Sequence, residues 1–161
     1  MRVLPMRRRA EGKTDYQNRM NLLKSGRTRV VFRKTGRYII GQIIESKEAQ
    51  DKILISMSSK DLIESGWPEK WAGSLKSMPA SYLTGFLLGN KAIKAGQKDM
   101  ILDLGLNRNV SKSRIYAFVK GLKDSGVSIP CKEEMLPSKE RIEGMHMKKD
   151  IKSVMDKVKG K

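Results

Sequence analysis

The sequence has a single cysteine, Cys131, and a single histidine, His146. The first excludes an intrachain disulfide, and the two together exclude an ordinary Cys/His zinc site within one chain. A lone thiol points to a reducing compartment. Aromatic residues make up only 6% of the chain, too few for the repeated base-stacking platforms of single-strand binders. No apolar run approaches the roughly 20 residues that span a bilayer, and no basic stretch carries a Trp/Phe-rich opposite face, so no membrane partner is expected. The N-terminus lacks the continuous apolar segment of a secretory signal. Neither a phosphate-loop pattern ending in Gly-Lys-Ser/Thr nor Gly-x-Gly-x-x-Gly occurs, so nucleotide hydrolysis has no footing. Acidic residues are also scarce and scattered: 17 Asp+Glu stand against 34 Lys+Arg, a net charge of +17.

Chemistry is equally hard to assemble. His146 sits in a polar tail, far from any oriented constellation a general base would need. Cys131 follows a proline and reads as a small, partly buried side chain. Asp103 lies on an apolar strand, where a metal-dependent nuclease would place a carboxylate, but such sites need two to four converging acids. The other strand-borne acid is Glu45, at the end of its strand. A structural hydrogen bond from Asp103 to nearby backbone amides is expected instead, and the chain is read as neither an enzyme nor a binder of small-molecule substrates or cofactors.

What the sequence does have is arginine, and on one side. Nine of its twelve arginines fall within residues 1–37, starting with the unbroken run Arg7, Arg8, Arg9. In that segment Arg2, Arg7, Arg8, Arg9, Lys13, Arg19, Lys24, Arg27, Arg29, Arg33, Lys34 and Arg37 face only Glu11 and Asp15. A planar guanidinium pairs bidentately with phosphate and stacks on bases, so a preference for arginine says more than excess charge does. A nucleic-acid partner follows, bound with steep salt dependence because each neutralised phosphate releases counterions.

Residues 1–26 read as a basic RNA-binding arm, disordered alone over 1–13, followed by a short helix. Thr14 is the expected N-cap, with Gln17 completing a capping box, Tyr16, Met20 and Leu23 at helical spacing, and Gly26 as the stop. Residues 27–130 read as the core. From Arg27 the period changes to two, with Val30 and Phe32 on one face and Arg27, Arg29 and Arg33 on the other, a strand with one cationic face. After a turn at 34–37, residues 38–44 are apolar on both faces and predict a central strand. A polar loop over 46–51 and a third strand over 53–57 complete an antiparallel meander. Leu62, Ile63, Trp67 and Trp71 suggest a short helix and a loop. Pro79 opens a helix whose inward stripe is Leu83, Phe86, Leu87 and Ile93, with Gly96 as its end. Gly85 and Gly89 would let another backbone approach closely. A short strand at 100–104, of the kind buried between helices, then a helix from about Ser111 with Ile115, Phe118, Val119 and Leu122 inward, imply a mixed sheet in an α/β fold. Residues 127–130 are expected to leave the core, and 131–161, with nine basic and six acidic side chains after Cys131 and no aromatic, to form a peripheral charged tail ordered mainly by a partner.

A second basic feature spans Asn107 to Arg114. There Arg108, Lys112 and Arg114 surround the start of a helix, where cations oppose the macrodipole unless an anion is present. The helix that follows is preceded by a strand rather than by a second helix and tight turn, which argues against a sequence-reading DNA module. A structured RNA, recognised by shape and backbone, fits better.

Several stretches together resemble the archaeal form of the large-subunit ribosomal protein L-eighteen family, related to the eukaryotic 5S-RNA-binding protein. They are residues 7–16 (RRRAEGKTDY), 81–85 (SYLTG), 101–108 (ILDLGLNR) and 113–117 (SRIYA) leading to Lys120-Gly121. The likeness covers residues 6–144, and order and spacing make it specific. It implies a three-layer α/β domain with no catalysis, a cytoplasmic ribosomal location, and a structural role binding 5S rRNA and anchoring it to large-subunit rRNA in the central protuberance, beside neighbouring large-subunit proteins. Carried over residue by residue, the RNA contacts are Arg7, Arg8, Arg9 and Lys13 in the arm, the strand residues Arg29, Arg33 and Arg37, and the loop from Arg108 through Lys112 to Arg114. Tyr16, which ends the matching stretch 7–16, is included with them, and Arg19, Arg27 and Lys34 join from the cationic pattern. The chain departs from the family at 67–78 and after Gly144. The alternatives are an extra-ribosomal RNA-binding or RNA-chaperone protein and, more distantly, a nuclease centred on Asp103.

Overall fold

The computed structural model describes residues 4–48, 50–147 and 151–160. Arg2 of the arm and residues 148–150 and 161 of the tail lie outside these described residues.

The arm takes one helical turn, α1 (Arg7–Ala10), whose residues are all exposed. Helix α2 (Tyr16–Lys24) starts one residue later than the capping pattern predicts. Asp15, not Thr14, is its N-cap, with Oδ1 accepting from the amides of Gln17 and Asn18 at 3.1 Å each. A carboxylate there also favours the helix dipole, which a hydroxyl does not. Thr14 instead accepts a hydrogen bond from Arg8 Nε at 2.9 Å.

Four strands make one mixed sheet in the order β3-β2-β1-β4. Strands β1 (Arg29–Lys34), β2 (Ile39–Lys47) and β3 (Gln50–Ser58) form the expected antiparallel meander, and β4 (Ile101–Asp103) pairs parallel with β1. Strand β2 lies between β1 and β3, as its two apolar faces predict. The polar loop expected over 46–51 is instead ladder, since Ser46 pairs with Asp51 and Lys47 with Gln50. Polar composition misleads here because these residues lie at the end of a long hairpin, where side chains reach water while the backbone stays paired. Strand β4 is an edge of the sheet, half-buried at Ile101 and Leu102 and buried at Asp103.

Val30, Phe32, Ile39, Ile43 and Met57 face helices α3 (Met78–Lys94) and α4 (Arg114–Asp124), closing a core with Leu88, Phe118, Val119 and Leu122. Glycines allow this close approach. A Cβ on Gly85 would collide with the carbonyl of Phe118, one on Gly121 with that of Tyr82, and one on Gly89 with the Ser125 side chain. Helix α3 is buried on more sides than its predicted stripe, because Met78, Ala80, Tyr82 and Leu83 face a second cluster with Leu62, Trp67 and Leu75. Ser77 caps α3 and Pro79 lies in its first turn. On the opposite sheet face, α2 approaches through an Arg19–Asp51 ion pair of 3.0 Å, so the sheet is flanked on both sides.

Two expectations about the C-terminal part change. Val127 and Ile129 stay buried in the first core at 2% and 3% exposure, because Ser128 bridges in parallel to Asp99 beside the sheet. The tail is not merely peripheral. Ile142 of α5 (Lys139–Ile142) and Ile151, Val154, Met155 and Val158 of α6 (Ile151–Lys159) are buried in the second cluster. The four in α6 fall at i, i+3, i+4 and i+7, an amphipathic stripe hidden in a segment of high charge.

Candidate nucleic-acid interface

Strand β1 carries Arg29 at its start and Arg33 and Lys34 at its far end, and it buries the first while exposing the other two. Arg29 is only 2% exposed, a correction to its expected place on an open cationic face. Its guanidinium donates from NH1 to Asp103 Oδ2 at 2.8 Å and from NH2 to Asp51 Oδ1 and Ser46 Oγ at 2.7 Å each. Buried arginine is tolerable only when paired, and the two carboxylates come from β3 and β4, far away in sequence. The alternating pattern identifies the face correctly, but cannot show that it is covered. Val31, on that same face, is 4% exposed. The Arg29 Nε finds no acceptor among the described residues.

Asp103 has both oxygens engaged: Oδ1 accepts from the Gly105 amide at 2.8 Å, the expected backbone bond, and Oδ2 from Arg29. No group of three or more His, Cys, Asp or Glu side chains suited to a metal occurs among the described residues. Asp51 feels opposing influences. Partial burial pushes its carboxyl up, but the Ser46 hydroxyl and the guanidinium groups of Arg29 and Arg19 outweigh this and hold it below the ordinary value.

At the far end of β1 the chain opens two adjoining clefts, each of about 370 Å³ and both lined by Asn107. The first takes Arg8 and Lys13 from the arm, Asn18 and Arg19 from α2, Arg33 from β1, and Gly105 from the turn after β4. Gly105 has φ of +56°, and the Arg33 guanidinium lies so close over it that an added Cβ would meet NH1 at 2.9 Å. Arg33 also donates to the Phe32 carbonyl at 3.0 Å. The second cleft takes Lys34, Arg108, Lys112, Arg114 and Arg141 around a floor that includes Phe32 and Ile115. Lys112 adopts φ of +54° and its amide donates to the Met135 carbonyl at 2.8 Å, which fixes the loop in front of α4. The helix starts at Arg114 rather than at Ser111, and Ser113 Oγ is enclosed with no hydrogen-bond partner among the described residues.

Of the residues singled out by sequence, Arg8, Lys13, Arg19 and Arg33 meet in the first cleft and Lys34, Arg108, Lys112 and Arg114 in the second. Arg7 and Arg9 are exposed on α1 outside both. Tyr16 opens α2 half-buried and lines neither. Arg27 precedes the opposite end of β1 and lies 3.8 Å from Asp99. Arg37 lines a separate hollow with Tyr38 and Lys76, whose ammonium donates to the Gly36 carbonyl at 2.7 Å. Sequence reasoning missed Arg141 and Lys76. Both are isolated cations in mixed-charge or divergent segments, and only the tertiary fold brings them to the others.

Residues 3–100 match the model of a family described as ribosomal large subunit proteins 60S L5 and 50S L18. The large ribosomal subunit protein uL18 of Korarchaeum cryptofilum is 47% identical over 141 residues, covering 88% of this chain and 70% of that protein. That of Methanoculleus marisnigri is 44% identical over 144 residues, covering 89% of this chain and 80% of its own. That of Methanococcus maripaludis is 39% identical over 153 residues, or 95% of this chain and 77% of its own. With the matched family covering more than half of its length and these relatives most of the rest, the chain belongs to the L5/L18 family of large ribosomal subunit proteins.

Proposed function

We propose that this ribosomal protein binds 5S rRNA and joins it to large-subunit rRNA in the central protuberance, among neighbouring large-subunit proteins. The observation that carries this reading is the convergence of cations from the arm, α2, the end of β1, the loop before α4, and α5 on two clefts that share Asn107. Folded RNA offers phosphates on a curved surface, and paired basic hollows on a rigid sheet edge match that better than a straight duplex groove. The exposed arginines of α1 extend the same side, and disordered or lightly structured arms commonly order on such a partner. Its role is structural, not enzymatic, at the cytoplasmic ribosome.

A filter-binding or gel-shift assay at physiological salt tests the reading. Tight binding to 5S rRNA over unrelated duplex RNA of equal length is expected, and equal affinity for both would overturn it. Cofractionation with assembled large subunits separates it from an extra-ribosomal RNA chaperone working through the same surface.

A further inference from the structure

We infer that the buried Arg29 and its two carboxylates are a positioning device, which holds Arg19 and Arg33 as preset walls of the first cleft before RNA arrives. The inference rests on the RNA-binding reading above and assigns roles to residues that would not themselves touch RNA.

The connections are continuous. Arg19 NH2 donates to Asp51 Oδ2 at 3.0 Å, and Asp51 Oδ1 accepts from Arg29 NH2 at 2.7 Å. Ser46 Oγ stiffens that corner, donating to Asp51 Oδ1 at 2.6 Å while accepting from Arg29 at 2.7 Å. Arg29 NH1 donates to Asp103 Oδ2, and Asp103 Oδ1 holds the Gly105 amide, each at 2.8 Å. The Arg33 guanidinium then lies against Gly105, where only a glycine leaves room. The two surface arginines lining one cleft are thus linked through the buried guanidinium of Arg29 and the partly exposed carboxylate of Asp51. Free arginine side chains lose rotamer freedom on binding, so anchoring them beforehand raises affinity without adding a contact.

This arrangement predicts the sign of an effect that charge alone reverses. Asp51 is an anion beside a phosphate-binding cleft. Simple electrostatics therefore makes Asp51→Asn bind polyanions more tightly, with one repulsion removed. Positioning makes the same variant bind more weakly, because Arg19 loses its tether. The expected result, with binding of the full chain to 5S rRNA measured well below the melting temperature of each variant, is a roughly two- to tenfold loss of affinity for Asp51→Asn. In an Arg19→Ala background that loss should shrink to less than half, since the tethered group is gone. A loss through general unfolding would persist in the Arg19→Ala background, so the cycle separates the two. Affinity equal to or above wild type for Asp51→Asn, or an undiminished loss in the double variant, overturns the inference while leaving the RNA-binding reading intact. Failure of the wild-type chain to prefer 5S rRNA removes both.

Discussion

Arg29 NH1 and Asp103 Oδ2 lie 2.8 Å apart across the parallel β1–β4 pairing, in a chain where most arginines face solvent. The pair fixes the edge strand of the sheet to its neighbour at the point where the cleft begins. Asp103→Ala would leave Arg29 with Asp51 as its one remaining carboxylate, beside the Ser46 hydroxyl, and strand NH1 of a guanidinium held away from water. A loss of about 3 kcal/mol is expected in urea unfolding, at the lower edge of the range for broken buried pairs because one partner survives. A loss below 1 kcal/mol would show that water reaches the site. RNA incubated with the wild-type protein and Mg²⁺ should also remain intact, because both Asp103 oxygens are already committed.

Asp51 links stability to acid. Its carboxyl is held below the ordinary 3.8 despite partial burial. A group depressed on folding contributes stability above its unfolded value, and that contribution disappears as pH falls through the folded value. The urea midpoint of wild type should therefore drop more steeply than that of Asp51→Asn as pH goes from about 5 toward 2, with the two curves converging at the acid end. Parallel curves would mean that Asp51 carries none of the acid sensitivity.

The crossing of α3 and α4 depends on absent side chains. Alanine at Gly121 gains roughly 1 kcal/mol of intrinsic helix propensity. However, its Cβ would run into the Tyr82 carbonyl and approach the Phe86 amide at 2.7 Å, both backbone groups that cannot swing away. Overpacking of this kind costs about 1–3 kcal/mol, so Gly121→Ala should destabilise the protein despite the better helix former. An unchanged or raised melting temperature would show that the helices separate freely.

How much of this was legible in the sequence depends on the range of the interaction. Periodicity and punctuation are local, so the meander, the mixed sheet, α3 with its opening proline Pro79 and its stop at Gly96, and the small-residue spacing at Gly85 and Gly89 could be read directly. Arg29 could not. The alternation of β1 assigned it a face, but its carboxylate partners lie 22 and 74 positions away, and nothing local distinguishes it from Arg33. The tail was misread for a similar reason: its charge is visible, whereas the value of Ile151, Val154, Met155 and Val158 depends on the apolar pocket made by Trp67, Leu75 and Tyr82. For the interface, the dense arginine clusters and the 107–114 loop were visible, and Arg141 was not.

If the tail belongs to the core, it should matter in the protein alone. Ile151→Ala and Met155→Ala each remove a side chain at 1% and 4% exposure from the second cluster. Each should cost about 2–4 kcal/mol in the absence of any RNA. A peripheral tail ordered by its partner would instead show the loss only in the complex.

The cations differ in which of them can meet phosphate. Charge count alone treats Arg27 and Arg141 as equal, whereas geometry does not. Arg141 shares the second cleft with Arg108, Lys112 and Arg114, while Arg27 sits beyond the opposite end of β1 beside Asp99. Each lost phosphate contact lowers the slope of log affinity against log salt by roughly 0.7–0.9. Arg141→Ala should flatten the slope by about that amount, Arg27→Ala should leave it nearly unchanged, and replacing Arg7, Arg8 and Arg9 together should flatten it by up to about three units at most. Arg8 alone of the three lines a cleft, so most of the arm's effect should appear in the single Arg8→Ala variant if the clefts are the site. An equal flattening from Arg27 and Arg141 would mean that RNA responds to the overall field of the protein, and that the two clefts hold no privileged phosphates.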